Sequence, residues 1–342
     1  MTIASDTADS QAALRPKLRL GMLAVCCAYA VFVALVVKFL PALLPDRVSL
    51  DFLSHQLVID RIHTRLLDNL YMLVAFLPLA FLIEGILVGW ETCSFRQIFL
   101  SPTASVKSDI AVLVLDQLHL FSIVGRILMF GASMISWMWL RQLIADKTGF
   151  AVDPSGIPLP IQVVIFFFIS SFFDYWTHRA SHSALLWPIH RYHHSAEDFC
   201  ILTSGRQHPA NFVPIFFMNL PMALLGAQPE VMIYVVVLTQ LPGLLIHSKI
   251  NSDWGWIGKY LLQSPVHHRM HHKLDMTHPT IHFSTVPIWD RLFGTWDDYY
   301  NPDEPIGVDT RYRHGFWIVP DMVRDYIDLW KGFFALVWKP AK

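Results

Sequence analysis

Charged side chains are scarce in this sequence. Asp, Glu, Lys and Arg make up 15% of its 342 residues, and 54% of the residues are hydrophobic, whereas a typical soluble domain is about 25% charged. The mean hydropathy is +0.41. These values predict an integral membrane protein. The net charge is −1, and no basic stripe with interleaved aromatic residues occurs, so no nucleic-acid partner is expected.

Cysteine is also rare. The four cysteines are Cys26, Cys27, Cys93 and Cys200, and none forms a CxxC pair. A disulfide framework or a thiolate zinc site is therefore not expected. The sequence has no internal repeat, no Gly-rich phosphate loop and no haem, flavin or iron–sulfur motif. If the chain carries out redox chemistry, its electrons must come from a separate donor.

Long apolar runs organise the chain. Runs over 21–44, 66–90, 110–140 and 159–173 predict four membrane crossings, because about 20 apolar residues span the hydrocarbon of a bilayer. The run 110–140, which polar residues interrupt, is either one long tilted helix or two shorter pieces. Two further runs, 212–225 and 231–246, predict a hairpin that enters and leaves on one side. The fold class predicted is all-α, a multi-pass transmembrane helical bundle with a cytoplasmic histidine-rich metal-binding cap.

The basic residues before the first apolar run are expected to stay in the cytoplasm. Counting four crossings from there returns the chain to the cytoplasmic face at Asp174. The histidine clusters described next would then share that face, which a common site requires.

Thirteen of the 17 histidines lie between His178 and His282, most of them in tight clusters. Residues three or four apart on a helix share a face, so each cluster can present two or three imidazoles together. Adjacent buried imidazoles are costly without a metal ion to organise them. The clusters contain at least eight candidate ligands, more than one ion takes, which predicts two metal ions.

The identity of the metal follows from the kind of ligand. Catalytic zinc typically uses three protein ligands and an open position. Copper would more often be accompanied by methionine or cysteine, which are sparse around these clusters. An all-nitrogen ligand set therefore favours iron.

The ordered motifs His178-x3-His182, His190-x2-His193-His194 and His268-x2-His271-His272, followed by the segment Trp289–Thr295, resemble the fatty acid hydroxylase/sterol desaturase superfamily. The resemblance covers about 159–300. It implies a membrane-embedded non-haem di-iron enzyme that uses O2 and external electrons. The domains expected are a cytoplasmic tail (1–20), N-terminal transmembrane helices (21–158), the hydroxylase-like di-iron domain (159–300) and a C-terminal cytoplasmic or interfacial segment (301–342).

The resemblance also implies a set of site residues. The metal ligands it implies are His178, His182, His190, His193, His194, His247, His268, His271 and His272. The residues expected around them are His208, Asn251, His267, Asp174, Asp275 and His282. The carboxylates considered as hydrogen-bond partners of the ligands are Asp174, Glu197, Asp198, Asp275 and Asp290. The stretch Thr280–Ser284 departs from the Asn-Tyr-Gly that family members often show, which weakens any transfer of substrate.

The function predicted is O2-dependent hydroxylation, or desaturation, of a C–H bond in a lipid or sterol by a monooxygenase-type oxidoreductase of lipid biosynthesis. The partners expected are the lipid, the membrane and a separate reductase, cytochrome or ferredoxin. Desaturation on the same site is one alternative, and a non-enzymatic membrane metal transporter is another. A zinc membrane hydrolase would need a glutamate placed as in HExxH, which the sequence lacks.

Overall fold

The structure, a computed structural model, describes residues 46–52, 55–59, 76–118, 120–121, 134–211, 217, 220–274, 281–301 and 303–338, with short pieces between 21 and 42. The chain divides into two compact units, residues 1–100 and 101–342. The described residues are mainly helical, as predicted, with one exception in the first unit.

The exception is an antiparallel hairpin of β1 (Val48–Phe52) and β2 (His55–Ile59), in which Val48 pairs with Ile59 and Phe52 with His55. The prediction of an all-α chain is wrong here. Apolar and polar residues alternate along Val48–Phe52, the period of a strand rather than a helix.

The hairpin is followed in the first unit by α1 (Leu77–Val88) and α2 (Ser94–Phe99). The carboxylate of Glu84 is fully buried on α1 and accepts hydrogen bonds from the Ser94 backbone N–H at 2.7 Å and from its hydroxyl at 2.8 Å. Glu84 therefore has the structural role expected of a polar residue within an apolar run: it holds the start of α2 against α1.

The named secondary-structure elements in the described part of the second unit are all helices, joined by loops. Its helices are α3 (Ala104–Gln117), α4 (Met134–Thr148), α5 (Leu159–Ser181), α6 (Trp187–His194), α7 (Leu220–Leu224), α8 (Pro229–Ile246), α9 (Gly255–Tyr260), α10 (Pro265–His271), α11 (Ile288–Leu292) and α12 (Val319–Val337). A 3₁₀ turn spans Ile201–Gly205.

Helix α5 is the one described helix that is long and apolar enough to cross a membrane. Its 23 residues correspond to a length of about 34 Å at about 1.5 Å per residue, enough for a hydrocarbon layer of about 30 Å. It contains the helix predicted over 159–173 and continues to Ser181. Shorter apolar helices are Leu77–Val88 and Glu230–Ile246.

The other predicted spans are only partly represented in the described residues. The apolar run 110–140 contains the end of α3 and the start of α4, with residues 122–133 between them outside the described part. The runs 21–44 and 66–90 also fall partly outside it. The second helix of the predicted hairpin is α8, and it packs on α5 through Phe166, Val231 and Val235.

Helix α12 fixes the position of α6, the helix that carries the motif His190-x2-His193-His194. The Arg191 guanidinium of α6 donates to the Asp325 carboxylate at 2.7 and 3.0 Å and to Asp328 at 2.6 Å. Asp325 is fully buried and also accepts from the Tyr312 hydroxyl at 2.6 Å. This ion-pair network ties the C-terminal helix to the histidine-bearing helix.

We expect Asp325→Ala to lower the free energy of unfolding by about 3–5 kcal/mol, because it leaves the Arg191 charge poorly compensated in a largely buried site. Asp328→Ala is the matched control. Its carboxylate is 29% exposed, so its loss should cost about 1 kcal/mol or less. Denaturant unfolding of the detergent-purified chain measures both, and equal effects would contradict this reading of α12.

Candidate metal centre

Four segments of the second unit bring nine histidines together. The C-terminal end of α5 carries His178 and His182, and α6 carries the first HxxHH motif. His247 caps the end of α8, and α10 with its C-cap carries the second HxxHH motif. All nine are the residues predicted as ligands, and every one of them except His178 is buried.

The nine histidines form two groups. The five-histidine group contains His178, His182, His190, His194 and His271. The four-histidine group contains His193, His247, His268 and His272. Within each group, one ring nitrogen from each histidine lies within 4.8 Å of the corresponding nitrogen of every other member. Each group therefore has enough ligands for one metal ion.

Each HxxHH motif is divided between the two groups. His190 and His194, four residues apart, belong to the five-histidine group, whereas His193 belongs to the other. In α10 the arrangement is reversed: His268 and His272 join the four-histidine group, and His271 the five-histidine group. The expectation that each cluster projects together as one set is therefore wrong, since consecutive residues on a helix point about 100° apart.

The two groups are in direct contact. The rings of His194 and His272 stack with centroids 4.1 Å apart and planes at 17°. Two ions held by these groups would share one buried compartment.

Backbone carbonyls fix the orientation of several rings. His178 Nδ1 lies 2.5 Å from the Phe283 carbonyl, His271 Nδ1 2.7 Å from that of Ile281, and His247 Nδ1 2.9 Å from that of Gly243. His193 Nδ1 lies 3.2 Å from the Arg206 carbonyl. A carbonyl oxygen only accepts, so Nδ1 is the protonated nitrogen in each ring and Nε2 keeps its lone pair.

These lone pairs face one another. The Nε2 atoms of His178 and His271 are 3.1 Å apart, and those of His193 and His247 are 3.3 Å apart. Neither atom of such a pair carries a proton to donate, so the contact is no hydrogen bond. Two nitrogens bound about 2.1 Å from one ion at a right angle would be about 3 Å apart. The spacing fits a cation bound between the rings.

Other ring nitrogens have no partner at all. Among the described residues, none hydrogen-bonds to either nitrogen of His182 or of His272, although both rings are buried. A buried imidazole without partners is costly. One such ring lies in each group, so each group also has an unsatisfied nitrogen that a metal ion would satisfy.

Burial keeps the histidines neutral. Desolvation, reinforced by the neighbouring imidazoles, holds the pKa well below its ordinary value in His182, His190, His193, His194, His268, His271 and His272. It lowers the pKa of His247 to about 4. At neutral pH their lone pairs are available to bind a metal without prior loss of a proton.

The loop 281–285 holds two of these rings, and Asp290 holds the loop. The Asp290 carboxylate is fully buried and accepts from the backbone N–H groups of Phe283 and Ser284 at 2.8 and 3.0 Å. It also accepts from the Thr295 hydroxyl at 2.7 Å. Burial raises the pKa of Asp290 to about 6, and these hydrogen bonds oppose the rise. The segment Trp289–Thr295 thus helps to orient His178 and His271, because Asp290 holds the loop whose carbonyls contact these two rings.

An ion pair supports the carbonyl that orients His193. Arg206 and Asp109 are both buried, and the guanidinium donates to the carboxylate at 2.5 Å and to the Ser105 carbonyl at 2.5 Å. Thr203, in the 3₁₀ turn, donates to the same carboxylate at 2.9 Å. The turn before Arg206 is thereby fixed on α3. Asp109 and Arg206 were not predicted, because nothing in their local spacing marks them.

A cavity of about 270 Å³ opens beside both groups. The histidines on its wall are His178, His190, His193, His247 and His268, and the other polar lining residues include Asp174, Gln207, Asn211, Gln263 and Thr285. Gln263 accepts from His268 Nδ1 at 3.0 Å and was missed by sequence reasoning. The cavity gives a small molecule access to both metal groups.

The residues predicted to surround the ligands do not all lie beside the two histidine groups. Asp174 lies on the cavity wall and accepts from the Thr285 hydroxyl at 3.2 Å. His208 contacts the Met322 carbonyl at 2.8 Å, and Asn251 is exposed. His267 and His282 pack together against Trp296, outside both groups. Asp275 lies outside the described residues.

Two of the carboxylates considered as partners of the ligands make other contacts. Glu197 is exposed and pairs with His314 at 3.3 Å. Asp198 pairs with Lys249. Among the predicted carboxylates that the structure describes, Asp174 lies on the cavity wall and Asp290 supports the loop that holds two of the rings.

Residues 163–295 match the model of the fatty acid hydroxylase family. The matched region contains all nine histidines, Asp290 and most of the cavity wall. No solved structure matches the chain.

Several curated proteins are similar to part of the chain. An ornithine lipid hydroxylase from Rhizobium tropici is 31% identical over 173 residues, which is 48% of this chain and 50% of that protein. The alkylglycerol monooxygenase of Homo sapiens is 28% identical over 185 residues, 49% of this chain and 40% of the relative. A very-long-chain aldehyde decarbonylase of Oryza sativa subsp. indica is 31% identical over 156 residues, with 43% and 59% covered. The matches span about half the length of these relatives.

We expect Asp290→Asn to loosen the loop 281–285, since an amide supplies one acceptor oxygen where the carboxylate supplies two. Hydrogen bonds to charged groups contribute about 1.5–3 kcal/mol each, so the midpoint of thermal unfolding should fall by several degrees. The matched control is Asp298→Asn, because Asp298 is an exposed aspartate eight residues after Asp290. Hydrogen exchange of the Phe283 and Ser284 amides should rise in Asp290→Asn alone. Unchanged exchange would contradict the role given to Asp290.

Proposed function

We propose that this chain, whose residues 163–295 match the fatty acid hydroxylase family, is a membrane-bound non-haem di-iron monooxygenase that hydroxylates a C–H bond of a lipid. The reaction consumes O2, two electrons and two protons, and yields the hydroxylated lipid and one water. The observation that carries the proposal is the set of unprotonated Nε2 atoms that face one another about 3 Å apart within two adjacent groups.

The nine histidines are proposed as the ligands, five for one iron and four for the other. Imidazole suits iron, and no cysteine of the described residues lies in either group. Iron at these positions would supply the activation of O2 and the acceptance of external electrons. The names of the similar proteins, a lipid hydroxylase and a monooxygenase, support this chemistry.

The protein residues have a positioning role in the reaction. The carbonyls of Phe283, Ile281, Gly243 and Arg206 hold Nδ1 of four ligands and keep Nε2 directed inward. Burial of the two groups would limit the access of bulk water to ions held there, which would restrict side reactions. The cavity brings the lipid C–H bond to the histidine face of the compartment.

The membrane location is supported by α5. Only 22% of its most apolar window is buried, whereas a core helix of a soluble protein would be mostly buried. We propose a multi-pass arrangement in which the helices before residue 158 complete the membrane part and the histidines lie at the cytoplasmic face. The residues after 300 form a C-terminal cytoplasmic or interfacial segment. A separate reductase, cytochrome or ferredoxin supplies the electrons.

Metal analysis of the detergent-purified full chain should give about two irons per chain. His182→Ala and His272→Ala each remove a ligand from one group, and each should lower the iron content toward one. The control is His314→Asn, outside both groups, where asparagine tolerates the positive φ of 50°. A full complement of iron in both ligand variants, or no metal in the wild type after iron reconstitution, would refute the proposed ligand set.

Product analysis with oxygen-18-labelled dioxygen tests the reaction type. We expect a lipid product that contains one labelled oxygen atom, formed only with a reductase present and lost in His193→Ala. A product that has lost two hydrogens and gained no label would assign desaturation instead. An iron-loaded protein that transforms no lipid would count against the enzyme and favour transport.

A further inference from the structure

His282 lies between the two loop residues whose carbonyls orient rings of the five-histidine group. The carbonyls of Ile281 and Phe283 each contact the Nδ1 atom of a ring in that group. His282 itself is fully buried and belongs to neither histidine group. Because its side chain is not among the ligands, its contribution to the centre has to come from its backbone.

The His282 carbonyl is connected to the other group. It accepts a hydrogen bond from Gln263 Nε2 at 2.8 Å, and Gln263 Oε1 lies 3.0 Å from His268 Nδ1. The Gln263 backbone N–H also donates to the Thr285 carbonyl of the same loop at 2.9 Å. His268 belongs to the four-histidine group. Two adjacent carbonyls of one loop, those of Ile281 and His282, therefore orient rings in different groups.

The His282 carbonyl also determines which nitrogen of His268 carries the proton. A carbonyl oxygen only accepts, so the Gln263 amide directs its N–H toward His282 and its oxygen toward the ring. That oxygen accepts the proton on Nδ1 and leaves the lone pair on Nε2, which lies 2.8 Å from His247 Nε2. Without the carbonyl the amide would be free to turn over, and an N–H facing Nδ1 would favour the tautomer in which Nε2 has no lone pair to offer a metal.

His282 has a backbone conformation that few side chains adopt. Its φ of 58° lies in the left-handed region. Glycine enters this region freely, asparagine and histidine tolerate it, and a β-branched residue there is strained. The backbone torsion angles of His282 set the angle between the two peptide planes that carry the Ile281 and His282 carbonyls. A change to an extended conformation would therefore turn at least one of these carbonyls away from its partner.

Tertiary contacts hold His282 in this conformation. Its backbone N–H donates to the Thr295 carbonyl at 2.9 Å. Its ring packs against Trp296, with centroids 4.7 Å apart, and against His267, with centroids 5.3 Å apart. A strained residue persists only where its surroundings determine its conformation, and such residues cluster at functional sites.

We propose that His282 is a positioning residue whose left-handed backbone, rather than its imidazole, holds rings of both histidine groups in their metal-binding orientation. The Ile281 carbonyl acts on the five-histidine group, and the His282 carbonyl acts through Gln263 on the four-histidine group. This inference rests on the proposed function for the identity of the metal, whereas the geometry of the loop does not depend on it.

Substitutions that separate the backbone of His282 from its ring test the proposal. His282→Gly and His282→Asn remove the imidazole but still allow the left-handed conformation, whereas His282→Val and His282→Ala disfavour it. Loss of a residue that orients a metal ligand typically lowers metal affinity about 10–100-fold. Titration of the detergent-purified full chain with Fe(II), against a competing chelator, should show both irons bound about tenfold or more weakly in His282→Val and His282→Ala. The Gly and Asn variants should bind both irons as wild type does.

His314→Val is the matched control, because His314 also has a left-handed φ, of 50°, but lies outside both groups. It should bind both irons with wild-type affinity. Gln263→Leu removes the amide that links the loop to His268, and it should weaken the binding of one iron only. Mössbauer spectra of chains loaded with iron-57 check this assignment: one iron environment should change in Gln263→Leu, and both should change in His282→Val.

Amide hydrogen exchange of the metal-free chain reads the loop by itself. Exchange across residues 281–285 should rise in His282→Val and His282→Ala and stay at the wild-type rate in His282→Gly and His282→Asn. A wild type that binds no iron would refute the proposed function, and the role of the His282 backbone would then be decided by this exchange measurement.

The proposal is overturned if His282→Gly and His282→Asn lose both irons, because the imidazole would then be the essential part. It is also overturned if His282→Val and His282→Ala retain both irons with wild-type affinity. Thermal unfolding identifies any variant that does not fold. If His282→Val is unfolded, the comparison of the Ala variant with the Gly and Asn variants gives the answer.

Discussion

The structure of the second unit depends on one electrostatic constraint: several imidazole lone pairs are held facing one another in a buried space. Neutral rings with Nδ1 bonded to carbonyls cannot relieve this contact by sharing a proton. Protonation is no remedy either, because burial disfavours the charged form. A cation between the rings removes the repulsion and satisfies the buried nitrogens of His182 and His272 at the same time.

Backbone carbonyls hold the imidazole rings in this arrangement. Most of the histidines lie near the C-terminal ends of their helices. Carbonyls near helix ends and in loops are therefore available as acceptors for Nδ1. Gly243 at the end of α8, Arg206 after the 3₁₀ turn and the loop 281–285 each provide such an acceptor. Buried carboxylates in turn hold these backbone acceptors in place. Asp109 accepts a hydrogen bond from Arg206, and Asp290 accepts one from the backbone of the loop 281–285. Partners of this kind commonly orient metal-binding histidines and raise their basicity.

Much of the site was predictable from spacing, and its division was not. The repeated i, i+3 and i, i+4 intervals marked eight of the nine histidines, and the ninth, His247, came from the resemblance to the family. The number of clustered histidines led to the prediction of two ions. Spacing alone does not show that His193 belongs to a different group from His190 and His194, or that His271 belongs to a different group from His268 and His272. That division depends on how α6 and α10 pack against each other. Gln263 lies only five residues before His268, but nothing in the local spacing marks it as a partner of that ring. Asp109 lies 97 residues before Arg206, so only the fold brings the two together. The hairpin Val48–Ile59 was missed because its alternation is short and surrounded by polar residues.

The most direct test of this account is to locate the metal in the iron-loaded full chain, by anomalous scattering in crystals or by cryo-electron microscopy. The account predicts two iron peaks, one enclosed by the five-histidine group and one by the four-histidine group, each bound through Nε2 of the rings whose Nδ1 bonds a carbonyl. A single ion shared by both groups, or iron bound at His267 and His282 instead, would contradict it.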